Sequence, residues 1–200
     1  MGWKDLELNF IPPFFDQEAY LHAVSEISRP YIDDFKPDKV LFSFHGLPER
    51  QVKKTDLTGK HCLASEGCCE ILSPANRNCY RAQSFWTAKW VAKRLGLSEH
   101  LVGFQSRLGR TPWIKPFSDH LYEELPKQGV KRLAVLSPSF VADCLETLEE
   151  IGIRAKEQFT RAGGEDLILV PSLNSEQIWV EAVAKLLRPT ISVVGPKDIH

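Results

Sequence analysis

Four short runs rich in Val, Leu, Ile and Phe, separated by longer stretches of helical periodicity, restrict the possible folds of this chain more than any other feature. They are Lys39–Phe44 (KVLFSF), Leu101–Gln105, Arg132–Ser137 (RLAVLS) and Leu167–Pro171. Each is too short for a helix and too continuously apolar for a strand with one wet face, so each predicts a strand buried on both sides. A fifth strand is expected at Leu6–Ile11. Helical patterns fill the gaps: Gln17–Asp34 (stopped near Pro30 or Pro37), Ala82–Leu95, Ile114–Lys127, Val141–Arg161 and Ser175–Leu187. Gly96, Gly129 and the pair Gly163-Gly164 stand where three of them should stop. Repeated βα units of this length imply an α/β fold, a parallel sheet with helices on both faces. The segment Pro48–Asn78 has little periodicity and reads as an insertion, and the tail beyond Pro189 is weakly patterned.

With 200 residues and 43% hydrophobic content, the chain can bury one sizeable core. Its 25 basic and 26 acidic residues leave a net charge of -1. That balance gives no electrostatic footprint for nucleic acid. No apolar run reaches the roughly 18–20 residues of a membrane span, and Met1–Leu8 lacks a secretory pattern. The expectation is a soluble cytoplasmic protein, with peripheral membrane contact left open.

Ligands of open parallel sheets bind beyond the carboxyl ends of the strands. His45-Gly46, Ser106-Arg107, Ser139-Phe140 and Ser172–Asn174 should therefore line one rim. No GxGxxG or P-loop follows any strand, so nucleotide binding has little support. His45 sits where an apolar strand meets Gly46-Leu47-Pro48, a tight exit that would hold the imidazole at the rim. There it can take a proton or bind a metal at neutral pH, or merely cap the strand. As a regular helix, Val141–Arg161 would gather Val141, Leu145, Leu148, Ile151, Ala155 and Phe159 on a core face. Asp143, Glu146, Glu150 and Glu157 would form an acidic stripe opposite. Such a stripe suits a relay for a divalent cation or a plain solvated face, and Arg154 on the same side favours the second.

These motifs carry a resemblance. Ser43–Pro48 (SFHGLP), Phe104–Arg110 (FQSRLGR) followed by Pro112-Trp113, Val141–Glu150 (VADCLETLEE), Ser172–Asn174 and Ile11–Phe14 (IPPF) occur in the order typical of ferrochelatases, and the similarity extends over about residues 6–188. The resemblance implies a Rossmann-like, chelatase-like domain that is one of the two halves of that fold, the C-terminal one. Residues 1–36 would be a hinge strand and helix shared with the N-terminal half. Residues 37–190 would be the domain proper with a cysteine-rich insertion at 60–80, and 191–200 a tail. It also implies chemistry: insertion of Fe2+ into a porphyrin, protoporphyrin IX or coproporphyrin III, in heme biosynthesis. His45 would be proton acceptor and metal contact, Glu146 the facing carboxylate, and Asp143 and Glu150 part of an acidic path. One imidazole opposite one carboxylate holds iron briefly, where a closed four-ligand cage would trap it. Phe140 and Trp113 are candidate walls for the flat ring, although core packing would explain Trp113 equally well. Cys144 replaces a histidine of many members and reads as a small buried residue, a pattern other members share.

Four of five cysteines crowd between Cys62 and Cys79. In a reducing compartment such crowding points to metal rather than disulfides. Cys62, Cys68, Cys69 and Cys79 suit a 2Fe–2S cluster or a structural zinc, with His61 a substitute ligand. The resemblance favours the cluster, because some ferrochelatases carry one, and in one bacterial group on an internal segment of this kind. Two functional readings follow: a porphyrin-metallating enzyme, or a non-catalytic iron–sulfur or tetrapyrrole-binding fragment that needs a separate N-terminal half. Either an N-terminal half or a homo-oligomer could complete the cleft.

Overall fold

The computed structural model describes residues 8–188. The four apolar runs become four parallel strands: β1 (Lys39–His45), β2 (Leu101–Gln105), β3 (Arg132–Leu136) and β4 (Asp166–Leu169), in the order β2-β1-β3-β4. Side chains of β1 alternate between two apolar layers. Val40, Phe42 and Phe44 enter one, and Leu41 enters the other with Leu133 and Val135 of β3. Both faces are buried, which is why these strands read as continuous apolar runs.

Helices α1 (Glu18–Phe35), α3 (Tyr80–Leu95) and α7 (Gln177–Leu187) pack on the Phe42 face. The short α2 (Glu49–Lys53) follows β1, and α4 (Ser118–Lys127) covers the Leu41 face. Gly103 of β2 permits a close approach there: a Cβ on it would lie 2.6 Å from the Ser118 hydroxyl. The chain after β3 runs through α5 (Leu145–Leu148), a π-helical segment (Glu150–Ala155) and α6 (Lys156–Arg161) before β4. From that segment Ile151, Ala155 and Phe159 enter the second core. Truncating a fully buried ring such as Phe159 or Phe42 to Ala should cost about 3–5 kcal/mol.

Several expectations are corrected. Leu8–Ile11 forms no strand and is exposed, because nothing in the sheet pairs with it; Leu6 and Glu7, like the tail from Pro189, lie outside the described residues. Of the two stops expected for α1, Pro30 lies inside the helix, which ends at Phe35 just before Pro37 with Lys36 at a left-handed φ of 49°. The helix expected from Ile114 starts at Ser118, since Trp113 and Phe117 are engaged in bridges to Pro48 and Phe104. Pro48–Asn78 is not wholly irregular, because it contains α2.

The largest correction concerns Val141–Arg161, which is not one helix. Residues 138–144 form a loop, and the helix behind it widens to a π-helix, with the Arg154 amide donating to the Glu149 carbonyl at 2.9 Å, five residues back. Inserting a π turn rotates everything before it relative to everything after it. Leu145 and Leu148, expected in the core, are therefore 77% and 55% exposed. Val141 is half-buried, and the regular acidic stripe is broken.

Candidate active site

Strand order 2-1-3-4 places a topological switch point between β1 and β3, where such sheets open a crevice at their carboxyl ends. His45 ends β1 at this point. Its backbone N–H donates to the Ser139 hydroxyl beyond β3 (3.2 Å), and its ring lies 6.1 Å from that of Phe140. The next amide, Gly46, donates to the Gln105 carbonyl at 2.8 Å. A Cβ on Gly46 would stand 2.9 Å from that carbonyl and 3.2 Å from the Trp113 ring, so the turn requires glycine. His45 Nδ1 lies 2.6 Å from the Gly46 carbonyl. A carbonyl only accepts, so Nδ1 carries a proton, and in the neutral imidazole the lone pair is on Nε2.

A cleft of about 570 Å³ opens beside His45, lined also by Gln105, Ser106, Leu108, Leu145, Glu146 and Glu150. Glu146 stands in the field of His45, and its carboxyl is held below the usual range, first by a hydrogen bond from the Cys144 thiol and further by His45. Cys144 is half-buried at the start of α5 rather than in the core. Its thiol is pushed up by burial and by donating to Glu146. Glu150 behaves differently. Its carboxylate accepts the Ser106 amide (2.9 Å) and the Ser106 hydroxyl (2.5 Å), with the Gln105 amide at 3.4 Å.

Asp143 lies outside the cleft lining. Its carboxylate takes Asn174 Nδ2 (2.8 Å), Thr147 Oγ1 (3.1 Å) and the Ser172 amide (3.3 Å), while its own amide donates to Asn174 Oδ1 (2.9 Å). Burial opposes its charge, but these donors outweigh burial and lower the pKa. Trp113 is half-buried against the Gly46 turn, with its indole N–H on the Leu108 carbonyl at 3.0 Å. Thus His45, Glu146 and Glu150 share one cleft, Phe140 borders it, and Asp143 and Trp113 support the surrounding loops.

The four cysteines converge at a second place. Cys79 caps the start of α3, and Cys69 and Cys62 both donate toward its sulfur; Cys68 and Cys69 lie 3.6 Å apart. Cys79 is lowered to about 6 by the Cys69 thiol and, against burial, by the amides of Ala82 and Arg81. Burial and the charge of Cys79 push Cys62 up to about 12. Among the described residues, no three His, Cys, Asp or Glu side chains stand as a ready-made metal cage, and the thiols bond to one another. The His61 ring turns away to the Cys68 carbonyl (3.0 Å).

Two residues not singled out from sequence build this loop. Asp56 accepts the amides of His61 and Cys62, both at 2.8 Å, and Asn76 donates to the carbonyls of Cys68 and Ile71, both at 2.9 Å. The signal was present in Asp56-Leu57-Thr58 and Ser73-x-x-Asn76, patterns that favour side-chain-to-backbone turns.

A family model described as Ferrochelatase matches residues 2–191. The chain is 50% identical over 186 residues to the ferrochelatase of Pseudomonas fluorescens strain Pf0-1, with 91% of this chain and 54% of the relative covered. Against the ferrochelatase of Azotobacter vinelandii strain DJ it is 48% identical over 190 residues, with 92% and 55% covered. The chain thus spans about half the length of the curated relatives it matches. A histidine and a carboxylate facing one cleft at the switch point of a parallel sheet, together with a family match over nearly every residue, place this chain in the ferrochelatase family.

Proposed function

We propose that this chain supplies the metal-handling half of a ferrochelatase that inserts Fe2+ into a porphyrin, protoporphyrin IX or coproporphyrin III, in heme biosynthesis. The other half of the cleft would come from the remaining half of the family fold or from a second copy of the chain. The observation that carries the reading is the pairing of a free His45 Nε2 with an ionised Glu146 on the same cleft.

Metallation releases two protons, because the two pyrrole N–H groups must lose theirs as Fe2+ forms its bonds to nitrogen. In its neutral form His45 Nε2 has the lone pair to accept one, and the second passes to the Glu146 carboxylate or to water at the mouth of the cleft. Glu146, kept charged by the Cys144 thiol and by His45, offsets the charge of the arriving cation and then of the imidazolium. Glu150 continues the acidic path behind Glu146, and Asp143 adds charge at its outer edge while anchoring the loop. The exposed Leu145, with Phe140 and Trp113, gives a flat apolar ring a wall to lie against. No helix among the described residues is long and apolar enough to cross a membrane. We place the protein in the cytoplasm, with room for peripheral contact.

Cys62, Cys68, Cys69 and Cys79 fit a 2Fe–2S cluster. Cys68 touches Cys69, Cys62 and Cys69 both donate toward Cys79, Cys79 is biased toward thiolate, and helix-start amides donate to it. A bound cluster would supply a covalent clip for a loop held otherwise by Asp56 and Asn76; structural zinc is the alternative occupant.

Porphyrin metallation by the chain, alone and mixed with a complementary N-terminal half, tests the reading. His45→Ala should abolish turnover and leave visible absorption intact, and wild-type turnover in that variant would refute the role of His45. The non-catalytic binding module predicts no turnover in either format. Anaerobic protein should be red-brown with matched iron and sulfide, and Cys79→Ser should bleach it. Colourless protein with one zinc would assign the clip to zinc instead.

A further inference from the structure

Gln105 is the last residue of β2 and stands directly opposite His45 in the strand register. It is only 4% exposed, an unusual place for an amide unless every polar atom is used. Its backbone carbonyl accepts the Gly46 amide at 2.8 Å and so fixes the turn that follows His45. Its side-chain Nε2 donates to the Glu146 carbonyl at 2.6 Å, and Glu150 Oε2 lies 3.4 Å away. Its Oε1 accepts the Ser43 hydroxyl at 2.7 Å, and Ser43 is in turn 2.8 Å from Ser118. Two acceptors on one side and a hydroxyl on the other leave a single consistent orientation for the amide.

One buried side chain therefore ties β1, which carries His45, to the segment that carries Glu146 and Glu150. That segment needs such a tie. It lies at the junction of α5 and a π-helix, and Leu145 and Leu148 beside Glu146 face outward instead of anchoring it in the core. We infer that Gln105 is a positioning residue that sets the separation of His45 and Glu146. It touches neither iron nor porphyrin and acts through the Glu146 backbone. The inference rests on the proposed metallation role of that pair.

The test compares wild type with Gln105→Glu and Gln105→Met. Gln105→Glu keeps the shape and the acceptor for Ser43 but removes the donor and sets a like charge against Glu150. Gln105→Met keeps roughly the volume and removes both functions, which covers the case in which the charged variant does not fold. Hydrogen exchange on the chain is read for residues 145–151 and for β3. Turnover and porphyrin KM are read in the assembled chelatase. Exchange at 145–151 should accelerate by at least ~10-fold with β3 unchanged. Turnover should fall by ~10- to 100-fold with KM within about twofold, as misplacing a catalytic pair does. Unchanged exchange at 145–151, or equal acceleration in β3, would overturn the inference, the latter because it marks a merely structural role; so would wild-type turnover in both variants. If the wild-type assembly does not metallate, the proposed function falls, and the exchange comparison still decides whether Gln105 holds the segment.

Discussion

Replacing Asp143 by Ala should destabilise the fold measurably and in a pH-dependent way. The carboxylate is the common acceptor for Asn174 Nδ2, Thr147 Oγ1 and the Ser172 amide. It joins the loop after β3 to the loop after β4, where Asn174 has a left-handed φ of 47°. A hydrogen bond to a buried charge contributes about 1.5–3 kcal/mol, and Asp143 is only half-buried, so about 1 kcal/mol per bond is the fitting figure. Three bonds give a loss of about 2–3 kcal/mol. For a domain of this size that is a Tm lower by roughly 5–10 °C. The pH dependence has a definite sign. The folded pKa is depressed, so this stabilisation is complete above the unfolded carboxyl value of about 3.9 and fades as pH falls through the folded value. Thermal melts followed by circular dichroism at pH 7 and below pH 3 should show a gap between wild type and Asp143→Ala that closes in acid. A Tm shift under about 1 °C at pH 7, or a gap of equal size at both pH values, would defeat the reasoning. Reduced metallation with an unchanged Tm would instead assign Asp143 wholly to the acidic path.

Cys144→Ala removes the thiol that donates to Glu146, so the Glu146 pKa should rise toward the ordinary carboxylate range. The acidic limb of the metallation pH profile should then move to higher pH; an unmoved limb would mean that the thiol does not tune Glu146. Gly103→Ala places a methyl 2.6 Å from the Ser118 hydroxyl and 3.2 Å from Leu121 Cδ1, contacts with a helix packed on the strand. Urea denaturation should show a loss of about 1–3 kcal/mol, the range typical of overpacking, and a midpoint equal to that of wild type would show that α4 shifts freely.

The sheet was legible in the sequence because its strands are buried on both faces. KVLFSF, LVGFQ and RLAVL are apolar at most positions on both faces, and turn residues bound them, so their limits lie within a residue or two of those observed. Helices α1, α3 and α7 were legible through their apolar stripes, apart from small shifts at the ends. What failed was the inference that periodic apolar residues face a core. Leu145 and Leu148 keep the spacing of a core stripe, yet Leu145 lines a cleft and Leu148 faces outward, and hydropathy alone does not separate these environments from a core. The π turn at Glu150–Ala155 and the Asp143–Asn174 clamp depend on residues distant in sequence, so no local pattern announces them. That His45 and Glu146 border one cleft was legible because strand ends define the rim and the family motifs pick out these two. Gln105 was passed over because a buried glutamine in a strand carries no signature of its own.

The two neighbouring carboxylates of the cleft show how the fold separates their tasks. Glu150 accepts two hydrogen bonds from Ser106 at 2.9 and 2.5 Å, so much of its capacity is already filled. The Glu146 carboxylate receives the Cys144 thiol, its own backbone amide and the influence of His45, while the Gln105 side chain of β2 donates instead to the Glu146 backbone carbonyl. A cation entering the cleft would have to displace strong donors from Glu150 but could approach Glu146 directly. The difference originates in the backbone. In a regular helix the two residues, four apart, would lie side by side and repel. The π-helical junction and the Gln105 amide hold the Glu146 carbonyl against β2 and seat Glu150 on Ser106. Glu150 is thereby held as fixed charge in the proposed acidic path, and Glu146 remains available on the same cleft as His45 for the proposed transient metal handling.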